Sequence, residues 1–286
     1  MPIVSPSPQR HDTFSAFIVW TVAGLFGAFF LWLTGDVLWH GFAHLSWNFF
    51  MQSPVDAGRQ GGIGSILVST GLILLVCMIV ALPLGLATAV FLSEFTAYAH
   101  ATSRYVQRSL DVLASVPSIV FGLFGNALFC QVLGLGFSIL AGGLTLACMI
   151  LPILIRTTEQ GFRALPHEYR SSAAALGLTK RATILHVLLP GALPALIIGF
   201  VLGLGRAIAE TAALIFTSGY VDRMPESLLD SGRTLSIHIY DLSMNVPGGD
   251  QAAYATALVL IFCLLIINGL SNRVSARWTD KRMHIA

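Results

Sequence analysis

Arg206 and Glu210 stand four residues apart inside a long apolar run, in Gly203-Leu-Gly-Arg-Ala-Ile-Ala-Glu-Thr211. On a helix that spacing makes them neighbours able to form an ion pair. A charge at the centre of a membrane span costs roughly 2.5–3.5 kcal/mol, so it needs a reason to be there. Gly199 and Gly203 fall on the same helical face, and small residues beside a charge describe a helix packed closely on others or lining a polar route. Two readings are open. In one, the pair is neutralised and fixes helix packing. In the other, Arg206 meets an anion and Glu210 tunes it. The planar guanidinium suits oxyanions because it makes bidentate contacts. A second pair, Arg156 and Glu159, closes another apolar run, where an arginine commonly snorkels to the interface.

The elements that position these residues are membrane spans. The 286-residue chain is 55% hydrophobic and only 10% charged, with a mean hydropathy of +0.78. Soluble domains carry about 25% charged residues. Six runs approach the ~20 apolar residues a spanning helix needs: 14–39, 63–92, 106–133, 137–155, 187–216 and 253–270. Pro83 allows a kink in the second. Arg108, Asp111 and Pro117 interrupt the third, whose start is expected to lie along the membrane surface. The fifth has its midpoint near residue 202, so Arg206 lies about 6 Å beyond it. Twelve of the 16 basic residues fall on one side of this arrangement, three (Arg59, Arg223, Arg233) on the other, and Arg206 within the span. Basic residues mark the cytoplasmic side. Both termini and the loop 156–186 are therefore expected in the cytoplasm, and the acidic loop 217–250 outside, where it can touch a soluble partner.

Other chemistry is thin. Cys77, Cys130, Cys148 and Cys263 lie in apolar runs without a CxxC spacing and read as packing residues. No GxxxxGK[ST] phosphate loop and no HExxH is present. His40 and His44 could share a helix face, Asp36 is expected to reach water, and residues 58–64 read as a flexible loop. No nucleophile–base set is present, and the net charge of +2 points to no nucleic-acid partner.

Between the fourth and fifth runs lies Leu165-Pro-His-Glu-Tyr-Arg-Ser-Ser-Ala-Ala-Ala-Leu-Gly177. Pro166 suits the start of a helix, the alanines propagate it, and Gly177 can take the left-handed conformation that ends it. Such a helix is either an interfacial connector or a lever for a cytoplasmic partner.

This loop resembles the coupling segment of membrane subunits of binding-protein-dependent ABC importers. Those subunits share Glu-Ala-Ala, then Gly four residues after the second Ala, then nine residues, then Ile-x-Leu-Pro. Ala173 matches the second Ala, Gly177 the Gly and Leu189-Pro190 the Leu-Pro, while Val187 replaces Ile, and Ser171 and Ser172 replace Glu and Ala. Ser115-Val-Pro-Ser-Ile-Val-Phe-Gly-Leu-Phe124, Ile155-Arg-Thr-Thr-Glu159, Gly205-Arg-Ala-Ile-Ala-Glu-Thr-Ala212 and Ser227-Leu-Leu-Asp-Ser-Gly-Arg233 look like the A-type (PstA type) permease subunit of the phosphate ABC importer.

The resemblance implies an all-α membrane protein of six transmembrane helices, with the type I importer permease fold and a cytoplasmic coupling helix. It implies residues 1–61 as the cytoplasmic N-terminus, first span and external loop, 62–272 as the permease domain, and 273–286 as a cytoplasmic tail. It implies a non-enzymatic subunit of the cytoplasmic (inner) membrane, paired with a second homologous permease. A dimeric ATPase that holds ATP and Mg would dock below, and an external phosphate-binding protein above. No cofactor or metal is then held by this chain. Arg206, Glu210 and Arg156 become substrate-pathway residues, and Pro166, Ser171, Ser172, Ala173, Ala174, Ala175, Gly177, Leu189 and Pro190 form the ATPase coupling segment. Molybdate, tungstate or sulfate is the alternative cargo, and an ATP-independent channel or secondary transporter the alternative class.

Overall fold

The computed structural model describes residues 10–96 and 101–283; the expected N-terminal tail over 1–9 and the last three residues lie outside them. Apart from a two-residue hairpin, β1 (Pro54–Val55) with β2 (Gln60–Gly61), the regular structure is helical. Among the described residues five helices are long and apolar enough to cross a membrane: α1 (Arg10–Phe42, apolar from Ser15), α3 (Gly64–Val90, continued by a π-turn, Phe91–Phe95), α6 (Ile139–Arg163), Lys180–Ile208 and the first part of α12 (Asp250–Met283). A short α2 (Trp47–Met51) follows α1.

The third run is bent. α4 (Ala101–Ser115) and the following Ser118–Val132 segment, made of α5 (Ser118–Gly125) and a π-turn, meet at 102° across Val116-Pro117. Proline disfavours helical geometry in the residue before it, so the break falls there. α4 places Ser103 and Leu110 inward and its arginines outward, as expected of a surface helix. Counting the bent pair as one span gives six.

The core is α3, α6 and α9 (Leu189–Ile208) packed side by side, with α5, α10 (Ala212–Ile215) and α11 (Leu235–Met244) closing its outer half. Small residues let the backbones approach. A Cβ on Gly143 would stand 2.6 Å from Val76, and one on Gly85 2.6 Å from Leu154. α1 packs along α12, where Tyr254 donates its hydroxyl to Asp36 at 3.0 Å and His40 lies 3.2 Å from the same carboxylate. Asp36 is thus a half-exposed tether between two helices, not simply a group in water. α1 ends at Phe42, so His44 leaves the face of His40. Among the described residues no cluster of three His, Cys, Asp or Glu could hold a metal.

Residues 58–64 are not a loose loop. They form the hairpin and the entry to α3, with Ile63 N–H donating to Phe49 O at 2.7 Å. The outer segment 217–233 is also ordered. Its carbonyls at Thr217, Asp230 and Leu228 accept the amides of Ser138, Ile139 and Leu140 (2.9–3.0 Å), satisfying the otherwise orphaned N-terminal donors of α6.

Candidate functional site

At the cytoplasmic end, α7 (His167–Ala175) follows Pro166, its N-cap. Gly177 has φ +70°, and Leu178 N–H reaches Ala173 O while Gly177 N–H reaches Ala174 O, both at 3.0 Å. This is the double-bonded left-handed stop that the sequence predicts. Ala173 is buried. Ser171, Ser172, Ala174 and Ala175 face outward. Leu176 is 79% exposed, and with Tyr169, Leu178 and Val187 it borders an open cleft of about 340 Å³. Exposed apolar side chains outside the apolar spans mark an interaction surface. After α8 (Lys180–Thr183) and a π-turn over Ile184–Leu188, Leu189 packs with Phe162, Leu188 and Ala192, and Pro190 follows directly on the π-turn within the continuous helix Lys180–Ile208.

Charges hold this end together in a pattern the sequence does not show. Arg170 makes a two-pronged contact with Glu94 (2.7 and 3.2 Å) and donates to Phe162 O and Leu165 O. Arg163 pairs with the buried Glu159 at 2.8 Å and donates to Leu92 O. Arg156 does not pair with Glu159. It binds Asp111 and Gln107 O, both on α4. The expected pairing, which i,i+3 spacing allows, fails because other partners compete: Arg156 turns to α4, while Glu159 takes Arg163, one turn further along α6, and the side-chain amide of Gln107 on α4 at 3.4 Å.

The fifth run also departs from expectation. Its helix stops at Ile208, not Phe216, and a non-helical link at Ala209–Thr211 leads to α10. Ser236 Oγ donates to Glu210 O at 2.6 Å, and the Glu210 carboxylate accepts the Ala213 amide at 3.2 Å. Two of the backbone groups released by the break, Glu210 O and Ala213 N–H, are thereby satisfied. Arg206 and Glu210 consequently form no ion pair. Arg206 sits in the last turn of α9, where the helix carbonyls favour a cation. It makes no hydrogen bond or ion pair among the described residues.

Arg206 and the two glycines also part company. Gly199 and Gly203 are buried against Thr157, Leu154 and Ile150 of α6, whereas Arg206 is exposed in line with Ile198 and Leu202. Gly203 lies against Ile150, near the middle of the 25-residue α6, and Arg206 is about 4.5 Å beyond that level.

On the outer side Arg233, 8% exposed, binds Asp241 at 3.1 Å and Asp222 at 4.0 Å and donates to Tyr220 O at 2.8 Å. His238 Nδ1 accepts from the same guanidinium at 3.3 Å. Burial, then the adjacent Arg233, push the His238 imidazole down from 6.5 to about 4, so it stays neutral at ordinary pH. The cluster fastens the outer segment to α11.

Residues 81–282 match the family described as binding-protein-dependent transport system inner membrane component. A probable ABC transporter permease of Bacillus subtilis is 30% identical over 90% of this chain and 90% of its own length. The phosphate transport system permease PstA of Mycobacterium leprae is 32% identical over 83% and 80%. A PstA homologue of Mycoplasma pneumoniae is 38% identical over 73% of this chain, which spans a third of that relative. Among solved structures, a bacterial ABC transporter that imports the polysaccharide alginate superposes with a TM-score of 0.63 at 15% identity, covering 93% of this chain and 98% of that one. The methionine ABC transporter MetNI gives 0.58 at 17% identity, covering 76% and 94%. The broken, glycine-packed helical core with its cytoplasmic helix is therefore the importer permease fold, and this chain belongs to the binding-protein-dependent transport inner membrane component family.

Proposed function

We propose that this chain is the permease subunit of an ATP-driven importer of inorganic phosphate, and that Arg206 faces the translocation pathway. The observation that carries the reading is Arg206 itself, a cation in the last turn of a spanning helix, beside a break, with its donors unclaimed by any described residue. The phosphate cargo follows the relatives named PstA, which align over most of the chain. Phosphate is an anion with several acceptor oxygens, and a guanidinium lowers its barrier in an apolar passage. Contact with a single arginine also leaves binding weak enough for release.

The same reading assigns the remaining parts. A second homologous permease covers the outward face of α9, Ile198, Leu202 and Arg206, and closes the pathway. A dimeric ATPase, which holds ATP and Mg, docks on α7 and the cleft beside it, leaving this chain non-catalytic. A phosphate-loaded binding protein meets the outer segment 217–250. The bias of the basic residues supports cytoplasmic termini. Arg156, held by Asp111 nearer the cytoplasm, is a second cation for the leaving anion. ATP below and loaded binding protein above bias one two-state structure.

The test is reconstitution of the chain with a second permease, an ATPase and a phosphate-binding protein in vesicles. Phosphate uptake should require ATP and resist about tenfold excess of sulfate or molybdate, which a binding difference of about 2.8 kcal/mol, or about a hundredfold, secures. ATP-independent flux, or uptake of molybdate in preference to phosphate, refutes the reading.

A further inference from the structure

We infer that α3 is the arm that carries movement of α7 across the membrane, and that the Arg170–Glu94 pair is its grip. The inference rests on the reading of α7 as the ATPase dock. The π-turn at the inner end of α3 is held from both sides of the coupling segment. Arg170 of α7 engages Glu94, whose side chain is 8% exposed, with both prongs of its guanidinium. Lys180 of α8 places its ammonium 4.2 Å from the centre of the Phe95 ring. Arg163 of α6 takes Leu92 O at 2.8 Å. A planar fork fixed at several points resists rotation as well as translation, which a single point charge does not.

The outer end of the same helix is fastened too. Ser65 Oγ donates to Asp222 O, and Thr70 Oγ1 accepts the amide of Leu235, the first residue of α11, at 3.0 Å. The next residue, Ser236, holds Glu210 O at the break beside Arg206. Between these ends α3 lies in the core against α6 without a break, passing through Pro83. A displacement of α7 thus reaches the outer segment and the fifth-span break through one continuous helix. The covalent route through α8 and the π-turn runs along α9 to the break after Ile208 and does not contact the outer segment at Asp222 and Leu235 as α3 does.

Arg170 and Glu94 are positioning residues, and the test separates them from docking contacts. In a complex otherwise free of cysteine, Glu94→Cys with Arg170→Cys removes the pair. A short bifunctional methanethiosulfonate then joins the two thiols, and a reductant parts them. The readouts are ATPase copurification, ATP hydrolysis with and without phosphate-loaded binding protein, and phosphate imported per ATP. Unlinked, the ATPase should remain bound, while phosphate per ATP falls about tenfold and hydrolysis stops responding to binding protein. Linking should restore both in the same sample, and reduction should remove them, which excludes misfolding as the cause. The charge exchange Arg170→Glu with Glu94→Arg should recover uptake to within about threefold of the parent. Parental phosphate per ATP in the unlinked pair overturns the proposal. So does ATPase release that linking does not reverse, since Arg170 would then be a docking contact. Failure of the unaltered chain to hold an ATPase refutes the docking reading itself, and is seen before any variant is made.

Discussion

At the cytoplasmic end three arginines are each answered by an acid: Arg156 by Asp111, Arg163 by Glu159 and Arg170 by Glu94. At the fifth-span break Arg206 is answered by none among the described residues, although Glu210 stands only four positions away. The difference separates two uses of the same side chain. An arginine answered inside the chain fixes geometry, joining α6 to α4, α6 to the end of α3, and α7 to the end of α3. On the reading proposed above, Arg206 keeps its donors for something that arrives from outside the chain. Glu210 is occupied in capping the link to α10.

The largest expected effect tests that division directly. Because Arg206 and Glu210 do not touch, Arg206→Gln strands no carboxylate, and one replacement is informative alone. Phosphate uptake in the assembled complex should fall on the order of a hundredfold, the loss seen when one donor to a developing or bound oxyanion is removed. Copurification with the ATPase should be unchanged. Uptake within a few-fold of the parent would place Arg206 with the structural arginines and end the distinction.

A smaller effect is expected where the sequence already fixes the structure. Gly177 has φ +70°, and a Cβ placed there meets nothing within 4 Å. The cost of Gly177→Val is therefore backbone strain alone, about 1–2 kcal/mol. It should lower ATPase association by up to about tenfold without disturbing insertion or the Arg170–Glu94 contact, while Gly177→Asn should cost less. Quantitative copurification decides it, and undiminished association of the valine variant would show that the end of α7 does not meet the ATPase.

These two sites also mark what the sequence discloses. Pro166, the alanines and Gly177 announce α7 because caps and left-handed stops depend on residues next to one another. The spans are legible for the same reason, since length and apolarity are local. The bend at Val116-Pro117 follows from proline sterics. The break after Ile208 has no such sign: Ala207, Ile208 and Ala209 favour helix, and no glycine or proline intervenes. What meets it there is Ser236, 26 residues on, whose hydroxyl takes Glu210 O. Arg170 and Glu94 lie 76 residues apart, each looking like an ordinary charge at a membrane edge. The Arg206–Glu210 and Arg156–Glu159 pairs fail because spacing states which side chains could meet along one continuous helix. It does not state whether the helix continues, or whether a third element offers a better partner.

The smallest effect sharpens the comparison within the answered arginines. Arg156 and Asp111 keep 36% and 67% of their side-chain surface exposed, so water screens the pair. Exposed pairs contribute about 0–1 kcal/mol. Asp111→Asn also leaves Arg156 its bond to Gln107 O at 3.1 Å, and leaves Ser103 and Leu110 of α4 buried. Thermal stability and α4 packing should therefore change little, and phosphate uptake by less than about twofold. Arg156→Gln removes the cation as well as the tether. If uptake drops in that variant while Asp111→Asn is near normal, Arg156 serves the leaving anion, and the tether serves only to aim it. Equal losses in the two would mean that the tether is what matters, and Arg156 would join Arg163 and Arg170 as a fixing residue. Equal indifference would leave Arg206 as the pathway cation of this chain.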